Sequence, residues 1–252
     1  MKNKSLKNKL KLNELTLGSW LTIGHPAIAE ILCNYPFDWL TIDIEHNLFD
    51  PSQIRSLISI IQSKEKAALV RVSKNEEVVI KHVLDAGADG VIVPMVNSKE
   101  DAQKAVEFVY YPPFGKRGVG LSRAQNYGDG FESYKEWLND HVVIVAQIEH
   151  IDGIRNLKDI ISTPGIDAII VGPYDLSGSL GYPGEYHREE VIEALKYLEE
   201  TCVENKFPMG YHVVPPDSDL FSKTKEKGYK FIALSTDFLF LGNSLKRFME
   251  SI

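Results

Sequence analysis

Short apolar runs recur along this chain, and each is followed by a stretch whose apolar positions repeat every three or four residues. The runs cover residues 17–23, 38–44, 67–72, 90–95, 142–148, 167–171, 207–211 and 230–234. Their length and their Gly, Pro and Asp borders predict strands. Helical spacing covers 27–33, 51–63, 75–86, 98–110, the segment between the fifth and sixth runs, 187–204, 217–227 and 236–252. A shorter helix is expected at 131–139. Pro51 suits a helix start and Gly87 a helix stop. Eight strands alternating with eight main helices in 252 residues predict an α/β fold, a (β/α)8 TIM barrel. A doubly wound open sheet is the second choice, but no G-x-G-x-x-G follows the first strand. The rhythm breaks at 111–130, YPPFGKRGVGLSRAQNYGDG, which predicts a functional loop or lid.

On a barrel the strand C-termini share one face, and that face carries the active site. The fifth run, VVIVAQI, leads to Gln147 and then Glu149, and the sixth, DAIIV, leads to Asp175. Two hard oxygen ligands at neighbouring strand ends suit a divalent cation that keeps positions for water and substrate. Acids that merely cap the next helix and turn account for the same spacing. Other side chains due on this rim are His46, Arg71 and His212. Alone, each is an ordinary loop histidine or a structural ion pair. Together on one face they point to a site.

Composition narrows the partners. A net charge of −7 gives no basic field for nucleic acid or an anionic membrane, and 44% hydrophobic residues suffice for a large core. The first eleven residues carry five lysines. Residues 1–14 are expected to be a flexible, solvated leader to a single domain over 15–252. No apolar run is long enough for a membrane span, and the only cysteines are Cys33 and Cys202. The expectation is a cytoplasmic enzyme without disulfides.

Three chemistries lack their residues. The fifth to seventh strands contain no lysine for a Schiff base, the turns after strands seven and eight contain no glycine for a phosphate, and the histidines do not cluster as zinc ligands. What remains is Mg2+ or Mn2+, with two acids, an arginine and a histidine. That set suits a 2-oxo acid whose carbonyl is polarised by the cation, whose enolate oxygen is held by arginine, and whose aldol proton moves through histidine.

At these residues the chain resembles the HpcH/HpaI aldolase family of metal-dependent pyruvate aldolases. The matching stretches are GSW at 18–20, FDWLTIDIEH at 37–46, LVRV at 69–72, IKHVLDAGADGVIVPMV at 80–96 and YPPFGKRGVG at 111–120. QIE at 147–149 and GIDAIIVGPYDLSGSLGYPG at 165–184 complete them. The resemblance implies a TIM barrel whose last helix is exchanged between subunits of a homohexamer. It implies a class II aldolase that reversibly splits a 4-hydroxy-2-oxo acid into pyruvate and an aldehyde. Glu149 and Asp175 would bind the metal (Mg2+ or Mn2+, with Co2+ a further candidate), and Arg71 would hold pyruvate and its enolate oxygen. His46 would be the acid/base, oriented by Asp85. Trp20, Gln147, Gly172 and Pro173 would line the substrate site, with the amides of Tyr174 and Asp175 receiving the carboxylate. Two departures, Tyr174 where alanine is usual and Ile44 where glycine is usual, point to a smaller or less polar aldehyde. A citrate lyase β-like enzyme acting on a coenzyme A ester, and an oligomeric barrel without catalysis, are the alternatives.

Overall fold

Periodicity does not say how eight strands are joined. In the computed structural model, which describes residues 5–252, they close into one barrel in which every neighbouring pair is parallel. In chain order the elements are α1 (Leu6–Lys11), β1 (Thr16–Leu21), α2 (Pro26–Cys33), β2 (Trp39–Asp43), α3 (Pro51–Ser63), β3 (Ala67–Arg71) and α4 (Glu77–Asp85). Next come β4 (Gly90–Val93), α5 (Lys99–Val109), a 3-10 segment at Arg123–Gly128, α6 (Phe131–His141), β5 (Val143–Ile148), α7 (Ile151–Arg155) and α8 (Leu157–Ile161). The chain closes with β6 (Ala168–Val171), α9 (Pro173–Ser179), α10 (Glu189–Glu204), β7 (Met209–Val213), α11 (Ser218–Glu226), β8 (Phe231–Thr236) and α12 (Asp237–Met249). Among the described residues no helix is long and apolar enough to cross a membrane.

Burial on both faces explains why the strands read as continuous apolar runs rather than alternating ones. One buried set, including Leu40, Ile42, Val91, Ile144 and Ile169, packs against the helices. The other, including Trp39, Leu69, Ile92, Val145, Ile170 and Phe231, fills the barrel. Trp39 and Phe231 stack with ring centroids 4.1 Å apart. Gly18 makes this possible, since a Cβ there would lie 2.1 Å from the Trp39 ring.

An aspartate precedes β2, β4 and β6, and each does the same job at the N-terminal end of the barrel. Asp38 accepts the Leu17 N–H, Asp89 the Ala68 N–H and Asp167 the Ile144 N–H, each at 2.8–2.9 Å. Each acid thus takes a backbone donor from the preceding strand. Here α1 enters. The expected flexible leader is, over its described part, a helix laid across the barrel floor; residues 1–4 of that expectation lie outside the described residues. Leu6 and Leu10, one helical turn apart, are buried in the barrel-filling cluster. Lys9 pairs with Asp38, and the buried Lys7 Nζ donates to the Val142 carbonyl at 2.7 Å and pairs with Asp167 at 3.0 Å. The lysine count suggested a solvated segment, but the leucine spacing and the acids waiting beneath decide otherwise.

Other expectations also shift. The segment between β5 and β6 is two short helices, because Asn156 breaks the turn and donates its side-chain amide to the Asn97 carbonyl. A helix not foreseen, α9, starts immediately after β6 with Pro173 in its first turn. β7 begins at Met209 because Pro208 has no N–H to donate, so His212 stands in the strand rather than after it. The 111–130 segment, expected as a functional loop or lid, is anchored at Arg117. Arg117 is 1% exposed, bonds Asp85 and the Tyr134 hydroxyl, and lies over the Tyr111 ring.

Burial pushes the Asp167 carboxyl up, opposed by Lys7. Replacing Lys7 by Met leaves that acid buried without its cation and should cost about 3–5 kcal/mol, read as a lower urea midpoint. A carboxyl raised in the folded state contributes stability at low pH that is lost as pH rises. The deficit should therefore be larger at pH 8 than at pH 5, and a pH-independent deficit would count against the charge explanation.

Candidate active site

The C-terminal ends of β1, β3, β5, β6 and β7 surround a cavity of about 310 Å3, whose lining includes Trp20, Arg71, Gln147, Asp175 and His212. Gly172, Pro173 and Tyr174 line it too, so most of the residues expected at the substrate site share one space. A larger cleft of about 1070 Å3 lies against α1 at the opposite end, but its aspartates are already engaged: Asp38 pairs with Lys9, and Asp89 accepts the Gln62 side-chain amide and the Ala68 N–H.

Register sets the charged centre. Asp43 and Arg71 are Cα partners at the ends of β2 and β3. The Arg71 Nε and Nη2 donate to the two Asp43 oxygens, both at 2.8 Å. Arg71 Nε also lies 3.2 Å from Glu45 Oε2, and its guanidinium sits 4.3 Å from the centre of the Trp20 ring. Asp43 further accepts the Glu45 N–H and the Asn47 side-chain amide. It is a saturated acceptor that fixes the arginine.

Glu149 and Asp175 meet over Gly172. A Cβ at Gly172 would lie 3.2 Å from the Glu149 Cβ, 3.4 Å from Glu149 Oε2 and 3.8 Å from Asp175 Oδ2, so both carboxylates stand close to this one glycine. Glu149 accepts the Met95 N–H at 2.8 Å and the Gln147 side-chain amide. Met95 holds a left-handed φ of 52°, a cost that the bond to Glu149 helps to offset. Asp175 stands in the first turn of α9, whose positive dipole end favours a negative charge.

Negative charge exceeds positive here. Asp43, Glu45, Glu149 and Asp175 face one guanidinium. Burial pushes the Glu45 carboxyl up to about 7, against Arg71 and with help from Glu149, Asp43 and Asp175. Burial also raises Glu149, with Asp175 adding to it. The buried Glu45 Oε2 has no hydrogen bond. Such a cluster fits a divalent cation, for which Glu149 and Asp175 could supply oxygens that suit a hard ion. Among the described residues no three His, Cys, Asp or Glu side chains are arranged to hold a metal by themselves.

His212 adds no charge. Burial brings its imidazole down to about 4, and Nε2 lies 3.0 Å from the Ser235 carbonyl, so that nitrogen carries the proton. His46 is exposed at the rim, 3.7 Å from Glu45. Asp85 stands apart, at the end of α4, where Arg117 and Gln125 hold it. Among the described residues no hydrogen bond joins it to His46. Asp43 and Glu45 escaped selection although both stand in DIEH; their i, i+2 spacing at a strand end was the available signal.

Comparison with known proteins agrees with this layout. The family model for HpcH/HpaI aldolase/citrate lyase matches residues 16–243. A hydroxypyruvate/pyruvate aldolase of Roseobacter denitrificans is 34% identical, covering 96% of this chain and 94% of the relative. A 4-hydroxy-2-oxovalerate aldolase of Novosphingobium aromaticivorans is 35% identical, covering 98% and 95%. The crystal structure of an HpcH/HpaI aldolase/citrate lyase family protein from Burkholderia cenocepacia J2315 superposes with a TM-score of 0.91 at 30% identity, covering 98% of both chains. The matches run over nearly the whole length, and the chain belongs to the HpcH/HpaI aldolase/citrate lyase family.

Proposed function

We propose that this chain is a class II pyruvate aldolase, a carbon–carbon lyase that joins pyruvate to an aldehyde, or splits the resulting 4-hydroxy-2-oxo acid, with a divalent cation. The observation that carries this reading is the pair of carboxylates, Glu149 and Asp175, meeting over Gly172 beside an arginine locked in place. Glu149 and Asp175 would hold Mg2+ or Mn2+ there, which when bound would supply Lewis-acid polarisation of the 2-oxo carbonyl. Arg71 holds the enolate oxygen, and its rigid seat on Asp43 means little reorganisation as charge develops. The amides of Tyr174 and Asp175 receive the pyruvate carboxylate, Gln147 orients Glu149, and Trp20 covers the arginine. His46, at the rim beside Glu45, moves the proton of the aldehyde oxygen.

Asp85 takes its expected role towards His46 only if the two meet in an assembly, since one copy keeps them apart. The apolar stripe of α12 supports an assembly. Phe238, Leu241, Leu245 and Phe248 are more than half exposed at helical spacing, and a second copy of the chain would cover them. We assign α12 to exchange between subunits of a hexamer. Buried, unpaired Cys33 and Cys202 support a reducing cytoplasmic compartment. The coenzyme A ester reading finds no comparable support: the cavity collects no lysine and no second arginine for a nucleotide phosphate.

Purified enzyme with Mn2+ should exchange the methyl protons of pyruvate with solvent deuterium, followed by NMR, and a chelator should stop it. Metal binding without exchange would reject the reading. Arg71→Ala should lower the exchange rate about a hundredfold or more, the usual effect of removing a donor to a developing oxyanion. Asp175→Asn removes one of the two carboxylates and should weaken Mn2+ binding about tenfold or more, measured by electron paramagnetic resonance titration. Unchanged affinity would separate Asp175 from the metal site. Light scattering should give a hexamer for the full chain and smaller species for Leu241→Asp with Leu245→Asp.

A further inference from the structure

The cavity has two halves of different chemistry. The inner half carries Arg71, Gln147 and Asp175. The outer half is walled by Tyr174, Tyr186, Tyr211, Pro215 and Leu220. The Tyr174 and Tyr186 rings lie 5.4 Å apart, tilted at 55°, and both residues are about half exposed, so their faces are open to a ligand. Tyr211 is backed by Tyr229, with ring centroids 5.3 Å apart, which stiffens the wall.

Charge in the cavity is equally one-sided. Among the described residues Arg71 is the only Lys or Arg that lines it, and two of its nitrogens are already bonded to Asp43. His212 is held neutral by burial and donates through Nε2 to the Ser235 carbonyl. A carboxylate or phosphate at the far end of an aldehyde would therefore share the cavity with Asp175 and meet no second cation among the described residues of one copy. A flat apolar body would instead lie on aromatic faces, where such contacts contribute beyond simple burial. The volume, about 310 Å3, is at the lower end for a small-molecule site and does not suit a long chain.

We infer that the aldehyde taken by this site is uncharged with a flat, apolar body, an aromatic aldehyde seated against Tyr174, Tyr186 and Leu220. The inference rests on the pyruvate aldolase reading above. The methyl carbon of pyruvate loses one proton and bonds to the aldehyde carbon. The aldehyde oxygen gains one proton, so the product is the sum of the two substrates and no oxidant or further reactant is needed.

The test compares benzaldehyde, glyceraldehyde and succinic semialdehyde as acceptors for pyruvate with Mn2+, reading kcat/KM for each. Benzaldehyde should exceed succinic semialdehyde by at least about tenfold, the scale of discrimination a built pocket reaches. Tyr186→Ala should reduce that ratio roughly three- to tenfold. Tyr186→Arg should move it towards the carboxylated aldehyde by about tenfold. Both variants are read as ratios within one preparation, so partial loss of folded enzyme cancels. Deuterium exchange into pyruvate, which needs no aldehyde, runs in parallel. Exchange with a preference for the carboxylated or the polyhydroxylated aldehyde would overturn this inference and leave the aldolase reading standing. Absence of exchange with bound metal would overturn both.

Discussion

Four carboxylates and one guanidinium share the mouth of this barrel, and the imbalance between them organises what surrounds it. Arg71 cannot satisfy Asp43, Glu45, Glu149 and Asp175 together. It is committed to Asp43 by two bonds, with Glu45 at the edge of its reach. The remaining acids are kept in place by neutral donors: the Met95 amide, the Gln147 side chain and the first turn of α9. Neutral donors orient a carboxylate without cancelling its charge. The carboxyls of Glu45 and Glu149 accordingly rise on burial, and the site is poised for a cation that the protein itself does not supply.

The opposite end of the barrel solves a similar problem in another way. There Asp38, Asp89 and Asp167 hold backbone donors of the preceding strands, and α1 brings Lys9 and Lys7 to two of them. Asp89 receives Gln62 instead, and burial pushes its carboxyl up to about 6. The two ends of one fold thus divide charge by purpose. At the floor two of the three acids meet lysines of α1 and serve stability, whereas the mouth holds four acids to one guanidinium. This is the division expected of a TIM barrel, where chemistry belongs to the C-terminal face.

Glycine and proline act at a few decisive points. Gly18 leaves room for Trp39 in the barrel interior, and Gly172 stands beside both Glu149 and Asp175. Pro173 starts α9 without an unused donor and delivers Asp175 to the rim. Beside it Tyr174 turns the outer cavity aromatic. Inner and outer halves are therefore set by consecutive residues of one short helix, which couples acceptor preference closely to the metal-facing end of the site.

The strand and helix rhythm was legible in the sequence because burial on both faces makes each barrel strand a plain apolar run, and because the helices keep one apolar stripe. Glu149, Asp175 and Arg71 were legible as well, since a parallel barrel puts every strand end on the same face. Several features were decided only by tertiary contacts. The lysines of α1 read as a solvated leader until Asp38 and Asp167 are found beneath them. Arg117 reads as one residue of a functional loop or lid until it is found between Asp85 and Tyr134. Asp43 and Glu45 are two acids among many until register brings Arg71 alongside. Local sequence carries periodicity and capping, because those depend on neighbours in the chain. It does not carry the identity of a charge's partner, which closure of the barrel brings from a distant part of the chain.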